Sequence, residues 1–105
     1  MRDVDIRVFL TELYETGKQN DAQEQERSKK VLNLEPETAQ FLNILIRSSR
    51  RTRLLEIGTS NGYSTIWLAW AASVTGGRVI SIDRDAHKQA LADANLRRVG
   101  LREVV

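Results

Sequence analysis

The sequence predicts an α/β domain in which a parallel strand runs through a glycine turn into a helix. Residues 54–64 read LLEIGTSNGYS: a short apolar run ends in Glu56, turns between Gly58 and Gly62, and continues into residues with helical spacing. A second apolar run ends at Asp83, 25 residues after Gly58. Strands that alternate with helical segments are typical of parallel sheets, whose ligand sites lie at the carboxyl ends of the strands.

The first third of the chain predicts a helix followed by a polar segment. Val4–Thr16 has apolar residues at helical spacing, and Gly17 is a typical helix end. Residues 18–33 are polar and carry many charges of both signs, which indicates a solvated helix or a mobile linker. We therefore divide the chain into an N-terminal helix and linker, residues 1–33, and an α/β part, residues 34–105.

Residues 34–105 alternate between helices and strands. The predicted elements, in chain order, are a helix from Pro36 to about Ser49, a strand over Arg53–Ile57, a helix from about Gly62 to Val74, a strand over Arg78–Ile82, a helix from about Ala86 to Val99, and the start of a third strand at residues 103–105. Because right-handed crossovers join parallel strands, we expect strand order 3-2-1 with helices on both faces of the sheet.

The glycine turn argues against a dinucleotide site. The fingerprint G-x-G-x-x-G requires glycine at positions where this chain has Ser60 and Tyr63, which disfavours a dehydrogenase. What remains is E-x-G-x-x-x-G, with Glu56 two residues before Gly58. A carboxylate at that position repels a pyrophosphate, so the pattern favours a ligand with a cationic or hydroxyl-rich group.

The run LLEIGTSNGYSTIWLA followed by GGRVISIDRD resembles class I S-adenosylmethionine-dependent methyltransferases. Within that class it is most similar to the small O-methyltransferases of the catechol and caffeoyl-coenzyme A type. The resemblance covers roughly residues 34–105, including the lead-in LEPETAQFLNILI. It implies the N-terminal half of a Rossmann-like fold, a cofactor-binding portion that is truncated after the start of strand three.

The resemblance also implies a cofactor site. Its residues would be Glu56, Gly58, Ser60, Gly62, Tyr63, Ser64 and Asp83. Glu56 would lie near the methionine amino group of S-adenosylmethionine, and Ser64 would help to hold the methionine carboxylate. Gly58, Ser60 and Gly62 would form the turn against the methionine portion.

Asp83 would accept both ribose hydroxyls, a role for which the family often has the longer Glu. Structural alternatives remain open for single residues: Glu56 or Asp83 would cap a neighbouring helix, and Ser64 and Tyr63 would be ordinary residues of a first helical turn. The ordered set of residues on strand, turn, helix and strand favours the cofactor site.

The resemblance implies methyl transfer from S-adenosylmethionine to a small hydroxylated acceptor. The family's catalytic residues, metal-binding acids and adenine-contacting loop would lie beyond residue 105, so we assign no catalytic or metal-binding residue here. We therefore expect S-adenosylmethionine binding by this portion to be weak or lost, and a divalent metal only in a full-length relative. The alternative is a truncated, catalytically inactive relative that acts as an oligomeric interaction module.

The expected partners follow from strand one, Arg53–Ile57. The strand that pairs with its second edge in the family comes later in the chain, so an open edge and apolar surface would remain. We therefore expect a homodimer, or a complement with a missing C-terminal half, in addition to the small-molecule methyl acceptor of a full-length form.

Composition excludes several other classes. The 105 residues contain no cysteine, which excludes disulfides and thiolate metal sites. No apolar run approaches the length of a membrane span and the first residues do not resemble a secretory signal, which indicates a cytoplasmic protein without a membrane partner. The net charge is +2 and the basic residues 47–53 have no interleaved aromatic residue, so nucleic acid is not an expected partner.

Overall fold

The computed structural model describes residues 2–105, apart from the side chains of Val4 and Ser28. Within these residues the elements, in chain order, are α1 (Asp3–Gln23), a 3₁₀ turn (Arg27–Lys29), α2 (Pro36–Ser49), β1 (Arg53–Ile57), α3 (Tyr63–Thr75), β2 (Arg78–Ile82), α4 (Ala86–Arg98) and a second 3₁₀ turn (Arg102–Val104). The predicted bounds of α2, β1 and β2 are confirmed, and those of α3 and α4 are confirmed to within one residue.

The two strands are parallel, and their side chains alternate between two different faces. Leu54 pairs with Val79 and faces the helices, where Val79 is 1% exposed. The opposite face carries apolar side chains that are 52–82% exposed: Leu55, Ile57, Ile80 and Ile82. The α/β fold class is confirmed, but within the described residues the helices cover one face of the sheet rather than both. The crossover from β1 to β2 places α3 on one face of the sheet, and α1, α2 and α4 all contact α3, which explains the difference.

The expected start of a third strand is wrong. Arg102–Val104 forms a 3₁₀ turn, so the sheet within residues 2–105 has the order β1-β2. The Val104 N–H donates to the Leu101 carbonyl at 3.1 Å, and Arg102 forms an ion pair with Asp93. The first of these bonds satisfies a backbone N–H that would otherwise need a partner on a neighbouring strand.

Helix α1 does not end near Gly17, as the sequence had indicated, but continues to Gln23. Gly17 is buried, and a Cβ there would lie 2.7 Å from Asn33 Nδ2 and 2.8 Å from Val31 Cγ2. Glycine inside a helix costs about 1 kcal/mol relative to alanine. Here it admits the segment that leads to α2, so the residue marks a close approach of two chain segments and not a helix end.

Helix α3 lies at the centre of the core. Its residues Ile66, Trp67 and Trp70 are buried, and Leu10 of α1 and Leu96 of α4 pack in the same cluster. Because α3 begins directly after the glycine turn, this packing fixes the position of the turn beside the ends of β1 and β2.

Candidate functional site

The turn between β1 and α3 reverses the chain within five residues. Gly58, Ser60 and Gly62 have φ values of +97°, +50° and +91°, all in the left-handed region. Such angles favour glycine, and Ser60 adopts one at a cost in backbone energy. The Gly58 N–H donates to the Ile82 carbonyl at 2.7 Å, which places the turn at the carboxyl ends of both strands.

The two glycines of the turn have different surroundings. No atom of the described residues lies within 4 Å of the position that a Cβ on Gly58 would take. A Cβ on Gly62 would lie 3.0 Å from the Cα and 3.1 Å from the Cβ of Ala92 in α4. Gly58 therefore leaves open space beside the turn, whereas Gly62 allows two helices to approach closely.

The carboxylate of Glu56 is held by hydroxyl groups. Its Oε2 accepts a hydrogen bond from Ser64 at 2.5 Å, and its Oε1 accepts bonds from Ser81 at 2.7 Å and from Thr65. The Ser81 hydroxyl in turn lies 2.6 Å from the Thr59 hydroxyl. Since each hydroxyl has one proton, Thr59 donates to Ser81 while Ser81 donates to Glu56. This network orients the carboxylate against the first turn of α3.

Asp83 holds the middle of the turn. Its Oδ2 accepts the Ser60 N–H at 2.8 Å and its Oδ1 accepts the Asp85 N–H at 2.9 Å. The hydrogen bonds from Asp85 and Ser60 lower the pKa of Asp83 below its ordinary value of 3.8. Helix α4 is capped by Asp85, which accepts the N–H groups of His87 and Lys88. Capping of α4 therefore belongs to Asp85 and does not explain Asp83.

A cavity of about 660 Å³ lies beside the open side of the turn. Three of the predicted site residues line it together, namely Glu56, Gly58 and Ser64. The other residues that line it are a mixture of apolar and polar ones: Leu32, Asn33, Leu34, Glu35, Thr38, Leu42, Ile57 and Leu68. Its volume lies within the range that small-molecule sites occupy, roughly 300–1,000 Å³, as do two other clefts of about 650 and 510 Å³, so the residues and not the volume distinguish this cavity.

The other four predicted residues are not part of this cavity wall. The Ser60 hydroxyl donates to the Val31 carbonyl at 2.7 Å, and Gly62 packs on α4. The Tyr63 ring is buried 5.5 Å from the ring of Tyr14, and burial raises the pKa of its hydroxyl. Asp83 lies on the adjacent strand end, bonded to the turn. Their contact with a cofactor stays a prediction.

Sequence reasoning missed several residues that build the site. The sequence analysis assigns no role to Thr65 or Ser81, although both donate to Glu56. Leu32, Asn33 and Leu34 were assigned to a solvated segment or its border, although they line the cavity. Ser81 of β2 is paired with Glu56 of β1, so aligning the two strands in the sequence would have placed their side chains next to each other.

The described part of the chain contains neither a metal-binding cluster nor a membrane-spanning helix. Residues 2–105 contain no group of three or more His, Asp or Glu side chains placed to hold a metal ion. None of the helices in this range combines the length and the apolar character needed to cross a bilayer.

Comparison with known proteins gives consistent results. A sequence model of the O-methyltransferase family matches residues 4–105. The chain is 37% identical over 71 residues to a catechol O-methyltransferase of Niastella koreensis. The aligned segment covers 68% of this chain and 32% of that protein. The chain thus spans about a third of the length of this curated relative.

Solved structures of O-methyltransferases have the same fold. The O-methyltransferase of Bacillus cereus in complex with SAH (S-adenosylhomocysteine) superposes with a TM-score of 0.72 and 28% identity, over 93% of this chain and 41% of that one. TomG of Streptomyces achromogenes in complex with SAM (S-adenosylmethionine) gives a TM-score of 0.73 and 27% identity, over 92% of this chain and 40% of that one.

Proposed function

The chain belongs to the O-methyltransferase family, and we propose that it supplies the S-adenosylmethionine site of an enzyme that methylates a small hydroxylated acceptor. The observation that carries the proposal is the cavity beside Gly58, where Glu56 and Ser64 meet. The named relative acts on a catechol, and two solved neighbours hold SAH or SAM, which supports this cofactor and this acceptor class.

The chemistry of the cavity fits the methionine portion of the cofactor. A carboxylate has about four lone-pair positions, and the hydroxyls of Ser64, Thr65 and Ser81 occupy three around Glu56. One position remains for a cationic amino group or a water that bridges to it. The amino-terminal end of α3 carries a partial positive charge, which favours the carboxylate of the same ligand close to Ser64.

Asp83 fits the ribose hydroxyls. Each of its two oxygens accepts one backbone N–H, so each retains acceptor capacity for a hydroxyl. The pKa of Asp83 lies below its ordinary value of 3.8, so the side chain is ionised at neutral pH, and an ionised carboxylate accepts stronger hydrogen bonds than a neutral one. The shorter Asp in place of Glu would draw the ribose toward the turn.

When bound, S-adenosylmethionine supplies an electrophilic methyl group on a sulfonium centre. The residues of this chain would bind and orient it: Glu56 and Ser64 at the methionine end, Gly58 through the open backbone, and Asp83 at the ribose. Because the described residues form one side of the site, we expect weak binding, with a dissociation constant in the high micromolar to millimolar range.

Calorimetry with S-adenosylhomocysteine tests the proposal. The chain should give weak but saturable heat, and Asp83→Ala should abolish it because the ribose loses both acceptor oxygens. Glu103→Ala is the matched control, because this substitution removes an exposed carboxylate outside the cavity. The Glu103→Ala variant should bind S-adenosylhomocysteine like the unmodified chain. Tight binding that Asp83→Ala does not change would show that the ribose lies elsewhere, and an absence of saturable heat would contradict the function.

The partners are likewise a proposal. One face of the sheet exposes four apolar side chains, those of Leu55, Ile57, Ile80 and Ile82. Such a patch favours binding to another surface, which we propose is either a second copy of this chain or a segment that carries further strands. Light scattering at micromolar concentration distinguishes the two, because a dimer supports the second copy and a clean 11.9 kDa species refutes it.

A further inference from the structure

Residues 31–34, which we name the strap, form one wall of the cavity and connect the first 3₁₀ turn to α2. Leu32, Asn33 and Leu34 line the cavity together with Gly58 and Ser64. Leu32 has a φ of +47°, a left-handed angle that is unfavourable for a residue with a Cβ. Such a conformation persists only where surrounding contacts determine it.

Asp21 of α1 provides those contacts. Its Oδ1 accepts the Val31 N–H at 2.8 Å and its Oδ2 accepts the Leu32 N–H at 2.9 Å. Two consecutive backbone donors are thus bound by the two oxygens of one carboxylate, which is stronger than bonding to a neutral acceptor. Partial burial raises the pKa of Asp21, but the hydrogen bonds from the Val31 and Leu32 N–H groups contribute to a net lowering below its ordinary value.

Gly17 lets the strap pack closely against the face of α1 that also carries Asp21. It lies four residues before Asp21, and residues four apart are neighbours on a helix surface. A Cβ on Gly17 would collide with the side chains of Val31 and Asn33 at 2.8 and 2.7 Å. Gly17 therefore forms a notch for the strap, and Asp21 fastens the strap one turn further on.

The turn holds the strap from the other side. The Ser60 hydroxyl donates to the Val31 carbonyl at 2.7 Å, across 29 residues of sequence. Val31 is therefore bound at its N–H by α1 and at its carbonyl by the glycine turn. This double attachment fixes Val31, which directly precedes the cavity residues Leu32 and Asn33, to both α1 and the turn.

We infer that Asp21 is a positioning residue for the cofactor: by binding the N–H groups of Val31 and Leu32 it holds the strap at the distance from Gly58 and Ser64 that the ligand requires. The inference rests on the proposed function of the cavity. Asp21 itself is not part of the cavity wall, so it acts through the strap and not by contact.

NMR titration with S-adenosylhomocysteine tests this role in Asp21→Ala and Asp21→Asn. Asp21→Ala should weaken binding about tenfold, because two charge-assisted hydrogen bonds to the strap are lost. Asp21→Asn keeps one acceptor oxygen and should recover part of the affinity. Glu12→Gln, which changes an exposed acid on the same helix, should bind like the unmodified chain.

Two further readouts separate positioning from a general loss of structure. Hydrogen exchange at the Val31 and Leu32 amides should accelerate in Asp21→Ala, while the far-ultraviolet circular dichroism and a single cooperative urea transition should show that the variant is as fully folded before denaturant is added as Glu12→Gln. Affinity that is unchanged in Asp21→Ala, with or without faster exchange, overturns the inference and leaves the proposed function standing. If the unmodified chain itself does not bind, the proposed function fails and the inference fails with it.

Discussion

Glycine with nearly the same φ stands at both ends of the β1–α3 turn, yet the two glycines have different surroundings. Gly58 and Gly62 have φ values of +97° and +91°. Gly58 lines the cavity and no atom of the described residues lies within 4 Å of its Cβ position, whereas a Cβ on Gly62 would lie 3.0 Å from Ala92 of α4. One glycine therefore leaves room for a ligand, and the other brings α4 against α3.

This difference shows why a glycine pattern alone does not define a site. Both glycines satisfy the backbone requirement of a sharp strand-to-helix turn. Only the surroundings distinguish backbone exposed to a ligand from backbone packed in a core. The contrast predicts that substitutions at the two ends affect different measurements.

The largest effect is expected at the packed end. Gly62→Ala combines an unfavourable left-handed angle with a Cβ that lies 3.0 Å from the Ala92 backbone. The two costs together should lower the free energy of unfolding by about 3 kcal/mol. Urea denaturation followed by circular dichroism measures it, and a stability equal to that of the unmodified chain would show that α4 shifts freely and that the end is not packed.

A smaller loss of stability, but a larger loss of binding, is expected at the open end. Gly58→Ala should lower the free energy of unfolding by about 1 kcal/mol, from the backbone angle alone. Its methyl group would enter the cavity and weaken binding of S-adenosylhomocysteine beyond detection by calorimetry.

Gly76→Ala is the matched control for Gly58→Ala. Gly76 has a φ of +77° at the end of α3, and no atom of the described residues lies within 4 Å of its Cβ position. Gly76→Ala should therefore lower the free energy of unfolding about as much as Gly58→Ala does, but leave the binding of S-adenosylhomocysteine unchanged. Equal loss of binding in both variants would mean that stability, and not the cavity, explains the effect at Gly58.

The smallest effect concerns the middle of the turn, where Asp83 accepts the Ser60 N–H. The pKa of Asp83 is lowered in the folded chain, so its contribution to stability is present above pH 3.8 and is lost as the pH falls through the folded value. Asp83→Asn should be less stable than the unmodified chain by about 1 kcal/mol or less at pH 7, and the gap should close in acid. A gap that widens below pH 3.8 would contradict the assignment.

The sequence predicted the parts of the fold that local patterns determine. The bounds of β1 and β2 follow from short apolar runs, and α2 begins at Pro36, where the missing N–H does no harm. The meeting of Glu56, Gly58 and Ser64 follows from their place on a strand, a turn and a helix start.

The parts that failed depend on contacts between distant residues. Gly17 looks like a helix end, and only the arrival of Val31 and Asn33 reveals that it is a notch. The polar residues after it look solvated, because composition does not reveal that Asp21 accepts hydrogen bonds from the Val31 and Leu32 N–H groups. A third strand was expected from residues 103–105, but pairing on a sheet is a long-range property that a run of three residues does not determine.

The most direct test of the account is to map S-adenosylhomocysteine binding by ¹⁵N–¹H NMR titration. The account predicts that the amides of Gly58, Ser64 and Leu34 shift with one common dissociation constant, while that of Gly77, at the opposite end of the sheet, does not. Shifts confined to the separate cleft between α1 and α2, at residues such as Gln40, would contradict it, because the ligand would then bind away from the open end of the turn.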